Sequence, residues 1–138
     1  MRASKPLILI LNLLLFTGCQ GGNAGPEKFV VTGEVSFSGK PVEEGQIVFI
    51  PTSGNAQRQA ATIKNGQYSS ECTPGKKNVE ITAYRFDESK QEPDPAEPGK
   101  TIPARVQYVP EQFNRKTTLT ADVTSDGENH FDFKLETQ

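Results

Sequence analysis

The chain has 138 residues, with 15 Lys and Arg against 17 Asp and Glu, a formal net charge of −2, two cysteines and one histidine. This weak acidity argues against nucleic acid as a partner, because binding phosphates needs a basic surface. One histidine and two cysteines also leave little from which to build a zinc centre.

Arg2 and Lys5 open the chain, and Leu7 to Phe16 form an apolar run interrupted only by Asn12. The run is too short to cross a bilayer as a stable helix, which takes about 20 apolar residues. It fits a secretory signal peptide. Thr17 and Gly18 followed by Cys19 resemble the bacterial lipobox, although Phe16 stands where that motif prefers leucine. The resemblance implies that residues 1–18 are a lipoprotein signal peptide and are removed, and that Cys19 then carries covalent lipid on its thiol and new amino terminus. Each buried methylene contributes about 0.8 kcal/mol, so two or more acyl chains anchor a protein stably. Gln20 in place of aspartate resembles the default sorting signal for the outer membrane. The expected location is therefore the bacterial cell envelope, lipid-anchored to the outer membrane and facing the periplasm.

Residues 19–28 read as the lipidated cysteine and a flexible tether, because Gly21, Gly22, Gly25 and Pro26 cannot easily build a core. Loss of residues 1–18 leaves 13 basic against 17 acidic residues, a net of −4. With Cys19 lipidated, Cys72 has no partner in the chain and no disulfide framework can form. A small buried hydrophobe is the favoured reading of Cys72 over a reactive thiol.

Residues 29–138 are the expected domain, and their pattern has period two. "FVVTGEVSF" places Phe29, Val31, Gly33, Val35 and Phe37 on one face of a strand. "SGKP" then turns the chain, and a second strand runs from 46 to about 51. "AATIK" and "QYSSEC" flank Asn65 and Gly66, the pair that a two-residue type I′ hairpin prefers. After a turn at "TPGK", "NVEITAYRF" puts Val79, Ile81 and Ala83 on one side. "TLTADVT" alternates Leu119, Ala121 and Val123, and "NHFDFKL" alternates Phe131, Phe133 and Leu135. Seven short strands with turn chemistry between them predict an all-β fold, a seven-stranded antiparallel Greek-key β-sandwich. A domain of this size buries roughly 65% of the surface its unfolded chain exposes.

Residues 87–103, "DESKQEPDPAEPGKTIP", break the regularity. Their prolines exclude them from a sheet interior and predict an exposed connection. Asp87, Glu88, Glu92, Asp94 and Glu97 could be arranged around calcium, but the prolines space them irregularly and no Asp-x-Asp-x-Asp-Gly loop is present. A solvated loop is the better reading, with no metal. "IPARVQYVPEQFN" reads as an extended piece followed by one helical turn at Glu111 to Phe113.

"VTGEVSFSGKPVEEGQIVFIP", "NGQYSSECTPGKKNVEITAY" and "IPARVQYVPEQFNRKTTLTADVTSDGENHFDFKL" resemble the transthyretin-like, carboxypeptidase regulatory-like domains of small bacterial lipoproteins, over residues 30–136. The resemblance implies a transthyretin-like (prealbumin-like) scaffold and is nearly silent on activity, since its glycines and prolines shape turns. The enzymatic branch of that fold, the hydroxyisourate hydrolases, carries several histidines and a C-terminal Tyr-Arg-Gly-Ser. This chain has His130 alone and ends "FKLETQ". No Gly-x-Ser-x-Gly is present, and His130 has no evident orienting partner in the sequence.

The expected function is thus noncatalytic, with no catalytic residue, no metal and no cofactor beyond the lipid on Cys19. The favoured reading is a binding module whose partners are the membrane, through its anchor, and an envelope protein or carbohydrate. Tyr84, Arg85, Phe86, Tyr108 and Phe113 are the candidate interaction surface, since aromatic and arginine side chains favour interfaces. Packing of these residues in the core or against loops is the alternative reading. A passive structural envelope component and, less favoured, a hydrolase of the transthyretin-like family are the alternative functions.

Overall fold

The computed structural model describes residues 25–137. The expected signal peptide (1–18), the expected lipidation site Cys19, the part of the expected tether up to residue 24, and Gln138 lie outside the described residues. The described chain is all-β. Its strands are β1 (Phe29–Phe37), β2 (Lys40–Pro41), β3 (Glu44–Pro51), β4 (Gln59–Lys64), β5 (Gln67–Cys72), β6 (Gly75–Pro93), β7 (Thr101–Gln107), β8 (Thr120–Val123) and β9 (Phe133–Leu135), and one 3₁₀ turn spans Glu111–Phe113. The strands form a curled sheet in the order β2-β1-β5-β4-β3-β6-β7, with β8 paired to β6 and β9 to β1.

Local chemistry accounts for the hairpins. Asn65 and Gly66 adopt φ of 50° and 79°, and Ser38 and Gly39 adopt 50° and 76°. Both pairs are the left-handed couples that a type I′ turn requires, and they set Lys64 opposite Gln67 and Phe37 opposite Lys40. The turn at Asn65 is also docked. The Asn65 and Gly66 N–H groups donate to the carbonyls of Glu43 and Val42 at 2.9 and 2.7 Å, and the Val35 N–H donates to Gly66 O at 2.7 Å.

Alternation then builds the core inside the curl. Val31 and Val35 of β1, Ile47 and Phe49 of β3, Ile63 of β4, Val79 and Ile81 of β6 and Leu135 of β9 are all essentially inaccessible to water. Phe49, Tyr68 and Phe133 form a chain of tilted rings with centroids 5.9 and 6.4 Å apart, joining the middle of the sheet to its C-terminal strand. Cys72 is fully buried, in keeping with its reading as a small hydrophobe.

Three expectations are corrected. Nine strands form among the described residues rather than seven, the additions being the two-residue β2 and the seven-residue β7. Pairing is not wholly antiparallel, because β9 runs parallel to β1, with Val35 opposite Phe133 and Phe37 opposite Leu135. The long return from β8 brings the chain back at the start of β1. There the Thr32 N–H donates to Asn129 O at 3.0 Å and the Phe131 N–H to Thr32 O at 2.9 Å, so the last strand leaves in the same sense. Third, residues 87–103 are exposed but not outside the sheet. β6 continues to Pro93 and pairs with β7 from Thr101, making a two-stranded ribbon. Pro93 and Pro103 are tolerated because residues 87–93 pair only with β7, leaving an outer edge on which a missing N–H costs nothing.

Among the glycines of the described residues, Gly33 is the most tightly approached. A Cβ there would lie 1.8 Å from the Phe131 carbonyl oxygen, which already accepts the Tyr68 hydroxyl at 2.7 Å. Two predictions follow from the packing. Phe49→Ala and Phe133→Ala should each destabilise the domain by about 3–5 kcal/mol, while exposed Thr120→Ala should cost well under 1 kcal/mol. Gly33→Ala should cost about 3 kcal/mol or more, because neither β1 nor the 129–133 segment can retreat without losing its hydrogen bonds. Urea denaturation of the four variants measures all of these, and equal losses at Phe49 and Thr120 would overturn the two-face assignment.

Candidate functional site

The candidate residues cluster at the base of the ribbon, and strand alternation divides them. Tyr84 and Phe86 project to one face of β6 and Arg85 to the other. On the first face Arg105, paired with Phe86 across the ribbon, lies 4.2 Å from the centre of the Tyr84 ring and 3.7 Å from the Glu44 carboxylate. Phe86 is 62% exposed, one of only two large apolar side chains so exposed among the described residues.

On the second face the Arg85 guanidinium lies 5.6 Å from the centre of the Tyr108 ring, and Phe37 meets that ring edge-on at 5.6 Å. A groove of about 340 Å³ opens here, with Phe37, Lys40, Glu43, Arg85 and Tyr108 among its walls and Tyr84 contributing from β6. Burial pushes the Tyr108 hydroxyl up, the Glu43 carboxylate adds to that, and Arg85 opposes it. Tyr108 is therefore a neutral hydrogen-bonding ring between an acid and two bases. Such a wall can stack on a flat apolar surface and hydrogen-bond at its rim.

Phe113 does not join them. It is 8% exposed and packs in the core, where the Asn114 amide holds its turn by donating to the carbonyls of Val109 and Pro110 at 3.2 and 3.0 Å. For this residue core packing replaces the surface role. Four of the five candidates thus stand at the ribbon base, and Lys40, Glu43, Phe37 and Arg105 complete the site. Lys40 and Phe37 were legible in principle, since the type I′ turn at Ser38 and Gly39 sets them face to face.

No protein-family model and no curated protein matches the sequence. Among solved structures, a 9R-lipoxygenase from Cyanothece is 11% identical over 80% of this chain, with a TM-score of 0.35. The chain spans 16% of that protein's length. A likeness at this level carries no argument about fold or activity.

His130 has the orienting partner that its sequence neighbourhood did not reveal. Its Nε2 lies 3.1 Å from Asp132 Oδ1 and its Nδ1 3.2 Å from Thr32 Oγ1. Asp132 Oδ1 also accepts the Glu34 N–H at 2.8 Å, so this exposed group clips the C-terminal segment to β1. Among the described residues no three His, Cys, Asp or Glu side chains are grouped to hold a metal ion.

The ribbon is shaped by its own acids. The register shifts between Asp87 and Gln91, where Asp87 Oδ1 accepts both the N–H and the hydroxyl of Ser89. Asp94 Oδ1 accepts the Ala96 N–H at 2.7 Å at the tip. The Ser89 hydrogen bonds hold the Asp87 carboxyl below the usual carboxylate range, with Lys90 assisting. Because the folded value is depressed, its support for the bulge is present above the unfolded carboxylate pKa and lost as pH falls through the folded one. Carboxyl carbon shifts should give Asp87 a lower titration midpoint in the protein than in a peptide spanning 85–95, and coincident midpoints would refute the bulge geometry. Replacing residues 88–101 by a short Gly/Ser linker should leave the melting curve nearly unchanged, since loop closure varies by only about 0.6 kcal/mol per doubling of length. A deletion that unfolds the domain would show that the ribbon covers core.

Proposed function

We propose that this chain is a membrane-anchored, noncatalytic lipoprotein of the bacterial cell envelope, whose Greek-key β-sandwich of transthyretin-like type serves as a binding module. The observation that supports this reading is the position of the groove along β1. The strand begins at Phe29, next to the tether, and reaches the groove at Phe37. Eight steps of about 3.3 Å put the groove roughly 26 Å from the point where the lipid anchor would join. An anchored domain built this way holds this aromatic, mixed-charge concavity away from the bilayer, where an envelope protein or carbohydrate can reach it.

The groove's chemistry suits such a partner. Tyr108 and Phe37 offer ring surface, and Arg85, Lys40 and Glu43 offer donors and an acceptor at the rim. Aromatic and arginine side chains of this kind dominate the energetics of known interfaces. Catalysis is not part of the proposal, which assigns the groove residues to recognition alone.

Two measurements test this. Cys19→Ser should release the protein from the membrane fraction or leave its precursor uncut, and mass spectrometry of the wild type should find acyl groups on Cys19. An unmodified amino terminus at another residue would overturn the anchoring. An affinity pull-down from solubilised envelope should then recover a discrete partner with the wild type and lose it with Tyr108→Ala or Arg85→Ala, at unchanged melting temperature. Recovery of nothing would favour a passive structural component.

A further inference from the structure

The ribbon of β6 and β7 has two faces, and they differ in chemistry. Its register sets Arg85 opposite Val106, Asp87 opposite Ala104 and Glu92 opposite Ile102. Opposed residues share a face, and β7 alternates from Thr101 to Gln107, so these six side chains line one face, which continues at its base into the groove.

Along that face the charge is graded. Arg85 stands at the base with Lys40 across the groove, and Glu92 stands toward the tip. None of the ion pairs among the described residues uses Arg85, Lys40 or Glu92. Between the two ends run the apolar side chains of Val106, Ala104 and Ile102, none of them fully buried, on a strand that pairs with β6 alone. Asp87, at the midpoint, is already engaged by the N–H and hydroxyl of Ser89 and by Lys90 Nζ at 3.6 Å. The opposite face lacks this gradient, because Arg105 is a cation without an acid beyond it. Gln91 and Pro93 stand there toward the tip, opposite Pro103 and Thr101.

A face graded in this way complements a copy of itself. Ala104 lies midway between Ile102 and Val106, so a two-fold axis that crosses the strands at Ala104, in the plane between two stacked ribbons, lays Ile102 of one copy over Val106 of the other. The same axis lays Glu92 over Arg85, twice. Contacts related in this manner are isologous, as closed dimers require. Stacked sheets lie about 10 Å apart, a gap that apolar side chains from both faces fill. The groove, about 340 Å³ in volume, leaves room at the base of one ribbon for the tip of the other. The two Asp87 carboxylates approach each other at the axis, and each keeps its own Lys90 as counter-charge. A merely acidic partner would satisfy Arg85 and leave Glu92 unpaired, whereas a second copy satisfies both.

We propose that two copies of this chain pair face to face through their ribbons, antiparallel about an axis at Ala104, with Arg85 of each copy meeting Glu92 of the other. The ribbon is short, so the dimer is of the weak, transient class, which buries less than about 1,200 Å² in total. Salt weakens it, since its charged pairs lie at the surface.

The test uses the full acylated chain carrying Ala104→Cys, in neutral detergent with micelles in excess over protein, treated with a bismaleimide of about 10 Å reach. Covalent dimers should form at Ala104→Cys and diminish as salt is raised. Phe86→Cys, on the opposite face, should give far fewer, as should the wild type, whose Cys72 is buried. Arg85→Glu and Glu92→Arg, each combined with Ala104→Cys, should lower the yield about tenfold or more, because each sets like charges together twice. An equimolar mixture of those two variants should restore it, since both pairs in the mixed dimer again join opposite charges. Wild-type circular dichroism of each variant shows that pairing is lost and not the fold. Equal yields at positions 104 and 86, or a mixture that stays monomeric, would overturn the proposal. The inference rests on the groove as a site of recognition, and the outcomes are separable. Capture of an envelope partner by a chain that gives no cross-link at position 104 upholds the reading above and overturns this one, while cross-linked chains that capture nothing do the reverse.

Discussion

The curled sheet can close only because residue 33 has no side chain. The C-terminal segment crosses β1 so tightly that the Phe131 carbonyl occupies the space a Cβ would need. That approach lets the Tyr68 hydroxyl reach the same carbonyl, brings Asn129 and Phe131 into the β1 hydrogen-bond ladder, and aligns β9 with the end of β1. Burial pushes the Tyr68 hydroxyl well above the ordinary phenol range, with Asp132 and then Cys72 adding to the push, so it remains a donor throughout the physiological range. Phe133 then packs beside the Tyr68 ring, and Leu135 is buried in the same core, because their strand has been placed there. Without that seam, β9 would be a three-residue strand with too little surface to hold itself in position.

The same seam determines which surfaces are left for interaction. Once β9 and β8 are tied to β1 and β6, the far half of β6 extends beyond the other strands and only β7 follows it. A free ribbon of this kind is an aggregation hazard unless its edges are blunted. Here prolines at 93 and 103, the bulge at Asp87 and charges of both signs do that. The ribbon's base is the part with recognition chemistry, since Arg85 over Tyr108 and Arg105 over Tyr84 hold the rings in fixed orientations and reduce the ordering cost of binding.

The two ends of β1 thereby acquire different characters. At Phe37 the surface is aromatic with mixed charge, suited to a partner that stacks. At Phe29 it is a polar pocket, with Lys28, Asn55, Gln57, Gln59 and Thr73 among its walls. Six residues of β6 lie between Lys77 and Tyr84, so the two surfaces share a strand without sharing a side chain. A perturbation at one should leave the other intact.

By itself the sequence determined seven of the nine strands among the described residues, their inward faces and the tight turns, because period two and left-handed residue pairs are local properties. Val31, Val35, Val79 and Ile81 lie where alternation puts them, and Asn65 and Gly66 turn as their φ preferences require. It also carried the aromatic and arginine content of the site, but not its division between two faces of the ribbon. Only the tertiary structure decided that Phe113 belongs to the core, that Asp132 orients His130, that β9 runs parallel to β1, and that an acidic, proline-rich stretch pairs as a ribbon. Each of these depends on contacts between residues far apart in the chain, or on edges left open by other strands. Such contacts leave no periodic trace, since a carbonyl that meets a glycine from a segment ninety-eight positions away imposes on the sequence nothing more than one glycine.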